Sequence, residues 1–129
     1  MGLGAGSIPS FLHSHYSHIN SIDVIEWSKQ VFLGAKEGFG YSDNDVITTY
    51  ISEAVEWTSN RAKYLNTLIL KNNNTDNKDS NGSSKKEGDE IEKLKYNIII
   101  VDIYTEDGMP AGLKDPLFFT RLKICLLYT

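Results

Sequence analysis

The spacing of apolar and polar positions divides the chain into two patterned flanks around one polar stretch. Ile8, Phe11, Leu12 and Tyr16 share the spacing of one helical face, with Pro9 admissible in a first turn, so a helix is predicted over residues 8–16. Ser21-Ile-Asp-Val-Ile-Glu26 is a short β-rich run. Val31, Phe32, Ala35 and Phe39 then recur at helical spacing until Gly38 and Gly40 end the pattern. The β-branched signal returns over residues 46–51. A helix over residues 54–70 follows, with Val55, Ala62, Leu65, Leu68 and Ile69 on a broad apolar face.

Residues 71–93, KNNNTDNKDSNGSSKKEGDEIEK, hold a single apolar side chain, Ile91, and so cannot bury enough surface to offset the entropy of ordering. They are expected to form a disordered surface insertion, with a solvated helix over residues 85–93 as the alternative. Beyond them, Tyr96-Asn-Ile-Ile-Ile-Val101 is the strongest strand signal, because four aliphatics in a row fit a strand covered on both faces. A last helix is predicted over residues 116–127, with Phe118, Phe119, Leu122 and Leu126 on one side.

Helices that alternate with strands imply a parallel sheet, since parallel neighbours need a long return path and a helix supplies it. The expected fold is α/β, a doubly wound, mostly parallel sheet. A single domain is expected over residues 1–70 and 94–129, with the insertion lengthening one loop at small entropic cost. In such sheets ligands sit beyond the carboxyl ends of the strands. Gly2, Gly4 and Gly6 precede the first helix, Glu26 ends a strand, Ser52-Glu53-Ala54 follows another, and Asp102 ends the last. Three acidic residues at three strand ends opposite a glycine turn describe a pocket for a ligand carrying hydroxyls and an amine. A carboxylate about twenty residues after a glycine turn is placed to accept from ribose hydroxyls, and Gly4 to Glu26 fits that distance.

Each of these residues also has a plainer reading. The glycines alone describe a flexible N-terminus, Glu53 alone a helix-start acid favoured by the macrodipole, and Asp102 a cap on the following turn. Trp27 is either a core residue or a platform for a purine ring, and Trp57 an ordinary core residue. His13, His15 and His18 do not form a metal site, because positions 13 and 15 of a helix point nearly opposite ways and no carboxylate or cysteine lies near with ligand spacing.

Charge and cysteine content narrow the classes further. With 13 Lys and Arg against 17 Asp and Glu, the net charge is -4, which leaves no basic footprint for nucleic acid. One cysteine, Cys125, excludes an internal disulfide and reads as a buried, inert thiol. No apolar run approaches the length of about 20 residues that spans a bilayer, and no basic-then-apolar leader opens the chain, so a cytoplasmic, membrane-free protein is expected. Gly6 stands where N-myristoylation requires Ser or Thr.

Gly2-Leu-Gly-Ala-Gly-Ser-Ile-Pro-Ser-Phe-Leu12, Asp23-Val-Ile-Glu26, Ala35 with Phe39-Gly40, and Tyr96-Asn-Ile-Ile-Ile-Val-Asp102, in that order, resemble the class I S-adenosylmethionine-dependent methyltransferases. Within that family they are similar to the branch shared by spermidine synthase-like and methyltransferase-like 13 proteins. The segment Asp102-Ile-Tyr-Thr-Glu-Asp-Gly-Met-Pro110, leading to Leu117-Phe-Phe119, follows the same branch. The resemblance implies a Rossmann-like methyltransferase fold with S-adenosyl-L-methionine as cofactor and a protein amine among the acceptors. It implies that Gly2, Gly4 and Gly6 approach the amino acid part of the cofactor and Glu26 holds the ribose. Trp27 would pack near the adenine, Glu53 and Ala54 would read its amine, and Asp102, the one catalytic candidate, would lie near the reacting end.

Departures from the family bear on the reaction. Relatives read Glu-(Ile/Leu)-Asp-Pro where this chain has Glu26-Trp-Ser-Lys29, and Glu53 replaces an Asp. Polyamine synthases carry Ser-Ser-Asp-Pro after the aspartate, whereas Ile103-Tyr-Thr-Glu106 stands here, which favours methyl transfer over aminopropyl transfer. A non-catalytic module that keeps the fold is the alternative from outside the enzymes. In this fold the glycine turn follows an apolar first strand and further strands follow the last helix, so the sequence is expected to be a fragment of a longer enzyme.

Overall fold

The computed structural model describes residues 2–75, 91–103 and 108–127. In chain order its elements are α1 (Ser7–His15), β1 (Ile22–Glu26), α2 (Lys29–Phe39), β2 (Ile47–Ile51), α3 (Ala54–Thr75), a 3-10 turn (Ala111–Lys114) and α4 (Pro116–Cys125). They gather into two compact units, one of residues 1–57 with 100–104 and the other of residues 58–99 with 105–129.

The first unit is built on β1 and β2, which run parallel in the register Ile22↔Ile47 to Glu26↔Ile51. The Ile22 amide donates to the Val46 carbonyl at 2.7 Å at one end of the ladder, and the Ser52 amide to the Glu26 carbonyl at 2.9 Å at the other. Parallel strands cannot be joined by a tight turn, and α2 fills the crossover. Ser28 caps its start, its hydroxyl accepting from the Val31 amide at 3.3 Å, and Gly40 ends it, letting the Tyr41 amide reach back to the Ala35 carbonyl at 3.1 Å. Asn44 opens β2, its side-chain oxygen accepting from the amides of Val46 and Ile47. Leu3, Ile22, Val24, Ala35, Tyr41 and Ile47 form the core, with Leu12, Ile19, Phe32 and Val46 packed on it. The parallel strand pair crossed by a helix bears out the α/β reading, and each strand starts one residue later than its pattern predicts.

The second unit has Ala62, Leu65 and Cys125 at its centre, against Leu94, Tyr96, Ile99 and Ile124. Asp115 caps α4, its carboxylate accepting from the Leu117 amide at 2.9 Å, and Pro116 fills the first helical position. The helix stops at Cys125 instead of Leu127 because Leu126 and Leu127 turn to Tyr96: the Tyr96 amide donates to the Cys125 carbonyl at 2.8 Å and the Leu127 amide to the Tyr96 carbonyl at 2.9 Å.

That single bridge, Tyr96 to Leu126, is all that forms of the strand expected over residues 96–101. Residues 97–101 are not a strand, and Ile98 is 76 % exposed. Four aliphatics supply β propensity, but a strand exists only where a neighbour supplies a ladder, and among the described residues none flanks this run. At one end of the polar stretch residues 71–75 continue α3, unlike the expectation, and at the other residues 91–93 are helical, within the range of the alternative helix. The rest of the expected disordered insertion, residues 76–90, lies outside the described residues. Among the described residues no helix is long and apolar enough to cross a membrane.

Candidate functional site

All the residues singled out at the strand ends belong to the first unit, and Glu26 is their hub. At the last position of β1 its side chain is 4 % exposed, a depth at which a carboxylate must find hydrogen-bond donors. It finds two backbone amides: Leu3 donates to Oε2 at 2.8 Å and Ser28 to Oε1 at 2.9 Å. Charge-assisted bonds of this kind contribute about 1.5–3 kcal/mol each. One carboxylate thus fastens the glycine turn to the tip of β1 and to the start of α2.

The turn itself needs glycine. Gly4 and Gly6 have φ of +54° and +78°, left-handed conformations that other residues adopt at a cost of about 1–2 kcal/mol. The Gly6 amide closes the turn on the Leu3 carbonyl at 2.9 Å, and the Gly6 carbonyl takes the first helical bond of α1 from the Ser10 amide at 3.1 Å. A side chain at Gly4 would meet nothing within 4 Å, so the outer surface of the turn is open.

Asp102 joins this group through its backbone. The Gly2 amide donates to the Asp102 carbonyl at 3.1 Å, and a side chain at Gly2 would stand 3.1 Å from that oxygen and 3.8 Å from Glu26 Oε2. Gly2, Glu26 and Asp102 are therefore brought together, while the Asp102 residue itself is exposed. Trp27, next in line after Glu26, is 74 % exposed and not a core residue. Glu53 is exposed and caps α3, its Oε2 accepting from the Glu56 amide at 2.9 Å, and Ala54 is the first residue of that helix. The start of α3 lies beside the same strand tips through the bond from Ser52 to Glu26. His13, His15 and His18 are exposed, His15 stacks on Phe11 with ring centroids 4.2 Å apart, and no group of three or more metal-ligating side chains occurs among the described residues.

This arrangement suits a polar nucleoside. Each Glu26 oxygen spends one acceptor site on a backbone amide and keeps capacity for a hydroxyl donor, the open turn admits a ligand near the backbone, and the bare Trp27 ring offers an apolar face. No family model matches the chain. Over 62 residues, 48 % of the chain, it is 31 % identical to the human and the mouse proteins named eEF1A lysine and N-terminal methyltransferase, of whose length the match covers 9 %. The crystal structure of human methyltransferase-like protein 13 in complex with SAH superposes on 97 % of the chain with a TM-score of 0.69 at 20 % identity, using 47 % of that structure's chain.

The chain has a methyltransferase fold.

On this methyltransferase fold the structure brings Gly2, Glu26 and the Asp102 backbone together, and it adds Ser28 as the second amide donor to Glu26 and Tyr41 against Gly6, neither of which the sequence singled out. Ser28 carried a signal, being a capping residue directly before a helical pattern. Tyr41 carried none beyond an aromatic residue behind a helix-stopping glycine.

Proposed function

We propose that the first unit binds S-adenosyl-L-methionine and that the protein to which this sequence belongs transfers the methyl group to a protein amine. The observation that carries the reading is the buried Glu26 carboxylate, locked by two backbone amides beside an open glycine turn at a strand tip. The resemblance to methyltransferases named for a lysine and N-terminal acceptor supports the choice of acceptor. In this reading the ribose hydroxyls donate to Glu26, the Trp27 ring lies against the adenine, and Gly2, Gly4 and Gly6 leave room for the amino acid part. Glu53 and Ala54 stand toward the adenine amine, and Asp102 toward the reacting end. The cofactor supplies an electrophilic methyl on a sulfonium, so the residues here need only hold it and orient it toward a lone pair.

The Ile103-Tyr-Thr-Glu106 sequence supports methyl transfer against the aminopropyl transfer of spermidine synthase-like relatives. Isothermal titration of the 129-residue chain with S-adenosylhomocysteine tests the reading. Binding is expected at submillimolar ligand and should weaken at least tenfold in Glu26→Ala. Absence of heat with either nucleoside overturns the reading, and binding of the decarboxylated cofactor alone shifts it to aminopropyl transfer.

A further inference from the structure

Tyr41 is 3 % exposed and is held at three separate points. Its amide is tied to the end of α2 through the Ala35 carbonyl. Its ring packs edge-on against Phe32, with centroids 6.3 Å apart and planes at 81°, inside the core that includes Leu3 and Ile47. Its hydroxyl lies 2.7 Å from Thr49 Oγ1 in β2, and Thr49 in turn donates to Asp43 Oδ1 at 2.7 Å. Threonine has one hydroxyl hydrogen, which Asp43 takes, so the tyrosine must be the donor to Thr49 and the chain of bonds runs Tyr41 to Thr49 to Asp43.

The root of the ring meets the glycine turn. A side chain at Gly6 would stand 2.7 Å from Tyr41 Cγ and 3.0 Å from its Cβ, a collision with the rigid root of the ring that no rotation relieves. The ring therefore lies directly under Gly6, the residue where the turn ends and α1 begins. Glu26 holds the same turn at Leu3, on its other side.

We propose that Tyr41 is a positioning residue for the nucleoside site, its ring acting as the floor that sets the height of Gly6 and hence the shape of the turn. The role rests on the proposed cofactor binding and operates entirely through the glycine backbone. Leucine or methionine keeps the Cβ and Cγ but replaces the in-plane Cδ2 by an atom free to rotate about χ2, whereas phenylalanine keeps all three fixed.

The test compares Tyr41→Leu with Tyr41→Phe in the 129-residue chain, by titration with S-adenosylhomocysteine and by amide hydrogen exchange without ligand. Tyr41→Leu should lose at least tenfold in affinity, and the Leu3 and Gly6 amides should exchange faster while those of Ile22 and Val24 stay protected. Tyr41→Phe should restore affinity to within about threefold. Tyr41→Met replaces the leucine variant if that chain does not fold. Wild-type affinity with unchanged exchange at Leu3 and Gly6 in the aliphatic variant overturns the proposal. If the wild type itself binds no nucleoside, the cofactor reading fails, and the exchange at Leu3 and Gly6 still decides the role of Tyr41.

Discussion

The two units bury charged groups in opposite ways. In the first, the Glu26 carboxylate receives backbone amides from two different segments and keeps acceptor capacity in reserve. In the second, the half-buried Arg61 donates one terminal nitrogen to the Leu94 carbonyl at 2.6 Å, lies 5.6 Å from the centre of the Tyr96 ring, and leaves its Nε without a hydrogen-bond partner among the described residues. A guanidinium has donors and no lone pair to offer, and one donor of this one ties α3 to the segment after the polar stretch. The carboxylate fastens the glycine turn to a strand tip, whereas the guanidinium fastens a helix to a later segment.

The sharpest way to break that contrast is Leu65→Ala. Leu65 is wholly buried between Ala62 and Cys125, and its truncation should cost about 2–5 kcal/mol in urea denaturation while the folded chain keeps its nucleoside affinity. Equal loss of affinity would show that the second unit shapes the site. Glu26→Gln is the counterpart in the first unit. An amide offers one oxygen where the carboxylate offered two, so either the Leu3 or the Ser28 amide must face an N–H, at a cost of about 1–3 kcal/mol. The same change should weaken binding of S-adenosylhomocysteine, and a variant with native stability and affinity would remove Glu26 from both roles.

The same contrast explains what could be read in advance. Periodicity located α1, β1, α2 and β2 to within two residues, because each carries its own apolar face or β-branched run, and Gly40 stops α2. It failed at residues 97–101, where Ile98, Ile99, Ile100 and Val101 announce a buried strand but the decisive property, a neighbouring ladder, is not a property of the segment. Residue types at strand ends single out Glu26, which the structure buries at the tip of β1. They did not reveal that its first partners are the amides of Leu3 and Ser28, since any residue but proline carries that donor. The plainer reading of Glu53 is a helix-start acid favoured by the macrodipole, and its Oε2 accepts from the Glu56 amide at the start of α3.

A smaller effect separates fastening from capping at the start of α2. Ser28 contributes its amide to Glu26, and its hydroxyl accepts from the Val31 amide and donates to the Gln30 side chain; Ser28→Ala keeps the first bond and removes the other two. The loss should be about 1 kcal/mol in unfolding free energy with nucleoside affinity unchanged. A drop in affinity would mean that the helix start, and not the carboxylate bond alone, holds the site.

The smallest effect sets Tyr41 beside Cys125 in alkaline solution. Burial pushes both groups up from their ordinary values. The charge of Asp43 reinforces this for Tyr41, while the charges of Arg61 and Lys95 pull Cys125 back down. A raised value means that the folded chain keeps a proton the unfolded chain has released. The stabilising contribution is therefore whole below the group's ordinary value and is lost as pH rises through the raised one. Thiols ordinarily titrate about one and a half units below phenols, so Cys125 should lose its contribution first. Urea midpoints measured across the alkaline range should fall less steeply in Cys125→Ala than in the wild type near the thiol range, and less steeply in Tyr41→Phe only at higher pH. Parallel curves for Cys125→Ala and wild type would show that Arg61 and Lys95 offset burial completely, making the guanidinium an electrostatic partner of the thiol as well as a tie between segments.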